Sequence, residues 1–87
     1  MKEKLIKNYI DRLTIDDIKS FLFNNEIILS DKDNKYIYQL VKDKWRKILY
    51  DDDEIIFNDL KNNLSYDKYN QLVQLYQTYK SKYSHYL

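Results

Sequence analysis

Hydrophobic residues recur along this chain at helical spacing, in four to five separate stretches. The longest stretch with such patterns on both sides of it covers residues 30–49. At about 100° per residue, its apolar positions fall on one side and most of its basic positions on the other. We expect it to be the central helix of a small bundle. Its apolar side consists of Ile37, Leu40, Val41, Lys44, Trp45 and Ile48.

Small polar residues indicate where the helices begin. Thr14, Ser30 and Ser65 each precede a helical pattern and are followed by Asp in its first turn. A side-chain oxygen at such a position accepts a hydrogen bond from an unpaired backbone N–H, and the carboxylates complement the helix dipole. Asp51 is interpreted in the same way, with Glu54 completing a capping box.

The connection between the second helix and the central helix is short and β-branched. The second helix is expected to stop at Asn24–Asn25, because Asn tolerates the left-handed conformation when Gly is not used. Residues 26–29 are then predicted to be an extended connector over the core. The central helix either runs to Leu49 or breaks near Lys44. We favour the break, which leaves residues 47–50 extended and able to pair briefly with residues 27–29 as two strands.

Composition and length agree with an all-α, single-domain bundle that covers residues 1–87. The chain is 44% hydrophobic and 33% charged, which is typical of a folded domain rather than a disordered one. It has no Cys, Gly or Pro, and its residue usage suggests an AT-rich coding sequence. No apolar run exceeds three residues, so we expect no membrane span, no secretory signal and a cytoplasmic protein.

The sequence does not contain the convergent titratable groups that catalysis requires. Its single histidine, His85, lies two residues from the C-terminus, and there is no cysteine nucleophile. The acidic run at 51–54 lacks the glycine and the distal glutamate of a calcium loop, so a helix start is the favoured interpretation. We therefore predict no catalysis, no metal and no cofactor.

Two surfaces are candidates for binding. The first is a basic face on the central helix, formed by Lys32, Lys35, Lys42, Arg46 and, on its flank, Lys47. Such a row could meet nucleic-acid phosphates, but it is also what the solvated side of any amphipathic helix looks like. A net charge of +1 favours the second interpretation.

The second surface is a tyrosine seam on the last helix. Tyrosines and Leu72 alternate there by three and four, and Tyr79, Tyr83 and Tyr86 are expected to extend past the neighbouring helices. Exposed tyrosines suit a protein partner, including a second copy of the chain. Partial burial against the first helix or a disordered tail are the alternatives.

The order of caps and core positions resembles the YqfT-like family of small bacterial proteins of unknown function. This resemblance implies no catalytic residues, and it implies that the central helix ends before residue 47. The positions that carry it are Leu13-Thr14, Asp17-Ile18, Ile27 to Ser30, Ile37, Leu40-Val41, Ile48 to Tyr50, Leu60, Leu64-Ser65, Leu72 and Leu75-Tyr76.

These observations favour a small helical interaction module that binds protein. The alternatives are a nucleic-acid-binding module that uses the basic face, and an inhibitor or adaptor encoded by a mobile element.

Overall fold

Five helices form the chain in a computed structural model, which describes residues 2–50 and 53–83, with side chains for residues 3–50 and 53–81. No strand occurs in those two ranges, so the predicted all-α bundle is confirmed. The helices are α1 (Lys2–Arg12), α2 (Ile15–Asn24), α3 (Asp31–Leu49), α4 (Asp53–Asn63) and α5 (Tyr66–Tyr83).

The predicted helix starts are supported by hydrogen bonds. The Thr14 hydroxyl accepts from the backbone N–H of Asp17 at 3.2 Å, and the Asp17 carboxylate accepts from the N–H of Thr14 at 2.9 Å. Ser30 accepts from the N–H of Asp33 at 3.1 Å, and Ser65 accepts more distantly from Lys68 at 3.5 Å. The predicted cap at Asp51 lies outside the residues that the structure describes.

Helix α2 ends where predicted, at Asn24, but the left-handed residue is Glu26, with φ 64°. The N–H of Glu26 donates to the carbonyl of Phe23 at 3.0 Å, and the N–H of Ile27 donates to that of Leu22 at 2.8 Å. This pair of bonds is a Schellman motif, in which glycine is the usual left-handed residue. Ile27 and Leu22 are both buried, which supplies the apolar contact that accompanies the motif.

Helix α3 is kinked at Lys44 but does not stop there. Lys44 has non-helical angles (φ −126°, ψ 21°), and the helix then continues to Leu49. A break near Lys44 is therefore correct as a local distortion, whereas the extended conformation predicted for residues 47–50 is wrong. Residues 47–49 are helical, so they do not form a strand contact with residues 27–29.

Helix α3 is central, since α1, α2 and α4 all pack against it, and α5 packs against α4. The connector between α2 and α3 contributes Ile27 and Leu29 to the core between these helices, and Trp45 is also buried there. The buried apolar side chains are Ile10, Leu13, Ile18, Leu22, Ile27, Leu29, Ile37, Leu40, Trp45, Ile56, Leu60 and Leu72.

Candidate interaction surface

Tyr79, one of the tyrosines of the seam that were predicted to be exposed, packs against α2. Tyr79 is half-buried, and its ring meets that of Phe21 edge-on, with centroids 5.4 Å apart. Its hydroxyl also donates to the side chain of Asn25 at 3.4 Å. The expectation that neighbouring helices cannot cover Tyr79 is therefore wrong, because the C-terminal end of α2 reaches it. The side chain of Tyr83 and all of Tyr86 lie outside the described part of the chain.

Two of the five basic-face residues are engaged with α1. The Lys42 ammonium donates to the backbone carbonyls of Ile10 at 2.6 Å and Asp11 at 3.2 Å, so it caps the C-terminal end of α1. Cations are favoured at that end of a helix. Arg46 donates to the Glu3 carboxylate at 3.0 Å. Lys32, Lys35 and Lys47 are exposed on α3.

Carboxylates that each accept from a tyrosine and a cation join successive helices. Between α3 and α4, Asp59 accepts from the Tyr36 hydroxyl and from the Lys44 ammonium, the latter at 2.8 Å. These bonds, that from Lys44 first, hold the pKa of Asp59 below its ordinary value. Burial and the bond to Asp59 raise the pKa of Tyr36.

The same arrangement recurs between α4 and α5. Asp53 accepts from the Lys80 ammonium and from the Tyr76 hydroxyl, each at 2.7 Å. The bond from Lys80, followed by that from Tyr76, lowers the pKa of Asp53. Burial and the bond to Asp53 raise the pKa of Tyr76 to about 12.

A third carboxylate, Glu3, ties α1 to the end of α3. It accepts from the Tyr50 hydroxyl as well as from Arg46, and these two bonds lower the pKa of Glu3. A tyrosine with a raised pKa is a poor acid, and a carboxylate with a lowered pKa is a poor base. These three clusters are therefore suited to holding helices together rather than to proton transfer.

No group of three or more His, Cys, Asp or Glu suited to a metal ion occurs in the described ranges. His85 and two residues of the acidic run, Asp51 and Asp52, lie outside those ranges. Within the ranges, no helix is long and apolar enough to cross a membrane.

The most exposed apolar side chains near a concave surface are Phe23 and Ile28. Phe23 is 66% exposed at the end of α2, and Ile28 is 68% exposed on the connector. Both line a cleft of about 310 Å³ between the outer side of α2 and the connector. Two exposed apolar side chains beside a cleft mark a surface that can bind another molecule.

The other residues of the cleft give it a mainly apolar wall with a few polar groups. Ile27 and Leu29 form the inner wall, and Asn34 is buried, with its side-chain amide donating to the Leu29 carbonyl at 3.2 Å. Lys19 is the one charged residue in the lining. It lies 3.6 Å from Asp31 in an ion pair whose side chains are 47% and 88% exposed. Such an exposed pair contributes little to stability and leaves Lys19 accessible.

Helix α1 exposes a second apolar surface. Its apolar stripe is only partly covered, because Ile10 is buried whereas Leu5 and Tyr9 are 71% and 64% exposed. The stripe is wider than the contact of α1 with α3, so one edge of it remains in solvent.

Phe23 and Ile28 do not belong to either of the surfaces predicted from the sequence. A signal for Ile28 was present, because an extended run of three apolar residues over a core buries its first and third side chains and exposes the middle one. Phe23 had no comparable signal, since Phe21 and Phe23 lie on opposite flanks of the buried stripe of α2.

Comparison with known proteins finds no matching family model, no similar curated protein and no similar solved structure. The resemblance to the YqfT-like family therefore stays a prediction.

Proposed function

We propose that this chain is a cytoplasmic protein-binding module without catalytic activity, and that it binds its partner at the cleft beside Phe23 and Ile28. The observation that carries the proposal is the exposure of these two side chains on either side of an apolar cleft. Burial of large apolar side chains is the main source of affinity at protein interfaces, so a partner gains affinity by covering Phe23 and Ile28.

The cleft supports a peptide anchor better than a cofactor. Its volume of about 310 Å³ is at the lower end of the range for small-molecule sites. Its polar groups are few, with one ammonium and no carboxylate in the lining. A side chain from a partner segment fits such a space, and Lys19 provides one fixed charge at its border.

The nucleic-acid alternative is less well supported, because Lys42 and Arg46 are already bound within the fold. Phosphate contacts by these residues would require breaking their bonds to α1. The inhibitor or adaptor alternative is a special case of protein binding and uses the same test.

The test is selection of binders from a phage-displayed library of random peptides, followed by titration of the enriched peptides. We expect binding to wild type to weaken at least about tenfold in the double variant Phe23→Ser/Ile28→Ser, the equivalent of about 1.4 kcal/mol. Both side chains are exposed, so this variant should keep its fold, which a thermal melt verifies.

The matched control is Leu5→Ser/Tyr9→Ser, which removes two equally exposed apolar side chains on α1. Peptides that bind the control as tightly as wild type, and the cleft variant weakly, support the proposal. Equal binding to the cleft variant contradicts it. Salt-sensitive binding of oligonucleotides that is lost in Lys35→Glu would favour the nucleic-acid alternative instead.

A further inference from the structure

We infer that the partner segment binds as an extended strand along residues 27–29, with a carboxylate placed opposite Lys19. This inference rests on the proposed function and specifies how the cleft is used. Strand addition supplies affinity through backbone hydrogen bonds and specificity through pockets for alternate side chains.

The connector has the side-chain alternation of a β-strand. Ile27 and Leu29 are buried, whereas Ile28 between them is 68% exposed. Ser30, which follows, has extended backbone angles of φ −65° and ψ 163°. This alternation of burial is what a short edge strand shows, although residues 27–29 pair with no strand in the ranges described.

Two backbone groups on the inner side of the connector are already bonded. The N–H of Ile27 donates to Leu22, and the carbonyl of Leu29 accepts from Asn34. In an extended chain the backbone groups of successive residues point to opposite sides, so the N–H and the carbonyl of Ile28 point away from these partners. Neither group of Ile28 has a hydrogen-bond partner among residues 2–50 and 53–83.

A strand can satisfy both groups of Ile28, and a helix cannot. The backbone groups of a helix are bonded within the helix, so a helical partner packed against Ile28 would offer its N–H and carbonyl no backbone partner. Leaving polar groups unbonded in an apolar contact is unfavourable. The unpaired N–H and carbonyl of Ile28 thus favour an extended partner.

Charge complementarity specifies one further feature of the partner. Lys19 is the only charged side chain in the cleft lining, and its ion pair with Asp31 is long at 3.6 Å. An acidic side chain or a terminal carboxylate on the partner can bind this ammonium. The partner is therefore an extended apolar segment that carries a carboxylate at one end.

The experiment uses the full chain and the tightest peptide from the library. Amide hydrogen exchange of Ile28, measured by NMR, should slow at least about tenfold when the peptide binds, because a backbone bond now protects that proton. Methylation of the single peptide amide that bonds to the Ile28 carbonyl should weaken binding about tenfold, while methylation of the adjacent amide should have little effect.

A substitution at Lys19 tests the charge. Lys19→Gln should weaken binding of the acidic peptide a few-fold and flatten its dependence on salt concentration. Lys61→Gln, an exposed change on α4, is the matched control and should leave binding unchanged.

The outcomes separate the two levels of the proposal. A peptide that binds at Phe23 and Ile28 but gains helical circular dichroism, or leaves Ile28 exchange unchanged, overturns the strand inference and preserves the proposed function. Binding that is indifferent to Phe23→Ser/Ile28→Ser, or absence of any peptide binder, overturns both. Self-association through residues 27–29, seen as a dimer mass lost in Ile28→Ser, would identify a second copy as the occupant and contradict the acidic peptide.

Discussion

Replacing Glu26 by glycine should stabilise the protein. Glu26 occupies the left-handed position of the Schellman motif, with φ 64°. A residue with a Cβ pays about 1–2 kcal/mol in this conformation, whereas glycine pays almost nothing. Glycine also makes the unfolded chain more flexible, which costs about 0.4–1 kcal/mol. The expected net gain in the free energy of unfolding is about 1 kcal/mol.

The Glu26 side chain is exposed at the C-terminal end of α2, where a negative charge is mildly unfavourable. The control Glu26→Ala removes that charge but keeps the Cβ, so the difference between the Gly and Ala variants isolates the backbone contribution. The hydrogen bonds from residues 26 and 27 to α2 involve backbone atoms and remain available in both variants.

Urea denaturation followed by circular dichroism provides the measurement. We expect the free energy of unfolding of Glu26→Gly to exceed that of Glu26→Ala by about 1 kcal/mol. Its melting temperature should be higher by about 4–8 °C. If the two variants are equally stable, or the alanine variant is the more stable, the reasoning from the left-handed conformation is refuted.

Three further predictions concern the polar contacts between helices. The pKa values of Asp53 and Asp59 are lowered from 3.8, so the stability they contribute is present above about pH 4 and is lost as the pH falls through their folded values. The urea concentration at the midpoint of unfolding should therefore fall over that acid range. The pKa of Tyr76 is raised to about 12, so the stability that this tyrosine contributes is present below about pH 10 and is lost as the pH rises through 12. Tyr76→Phe should remove this alkaline dependence of the free energy of unfolding. Lys42→Met should lower the free energy of unfolding by about 1 kcal/mol and speed amide exchange at the end of α1, while Lys35→Met should do neither.

Each of these three predictions has a contrary result. An acid transition that persists unchanged in Asp53→Asn/Asp59→Asn would assign the loss of stability to other groups. An alkaline transition that is identical in wild type and Tyr76→Phe would show that the hydrogen bond to Asp53 has no such effect. Equal exchange rates for α1 in the Lys42 and Lys35 variants would show that the Lys42 ammonium does not cap the helix.

The carboxylate clusters of Glu3, Asp53 and Asp59 add polar contacts between helices to the small apolar core. They link α1 to α3, α3 to α4, and α4 to α5, which are three of the pairs of helices that pack together. Each consists of hydrogen bonds to a charged group, and those of Asp59 and Asp53 are also partly buried. Such bonds contribute more than neutral ones. Between α2 and α3 the charged contact is the exposed ion pair of Lys19 with Asp31, and Ile27 and Leu29 of the connector belong to the buried core.

Helix starts were readable from the sequence because a cap depends on residues only three positions apart. Thr14 and Asp17 form their reciprocal bonds whatever the rest of the chain does, and Ser30 is similar. Apolar periodicity is equally local, so the all-α class and the central position of residues 31–49 followed from it.

Other features depended on packing between segments distant along the chain. Periodicity placed Lys44 on the apolar side of α3, and only the approach of α4 supplies Asp59 as its partner, 15 residues away. The same holds for Tyr79, which α2 covers, and for Lys42, which α1 engages. Spacing along a chain gives the direction of a side chain on its own helix. Which neighbour lies there, and whether a cleft remains beside Ile28, depend on how five helices share one limited core.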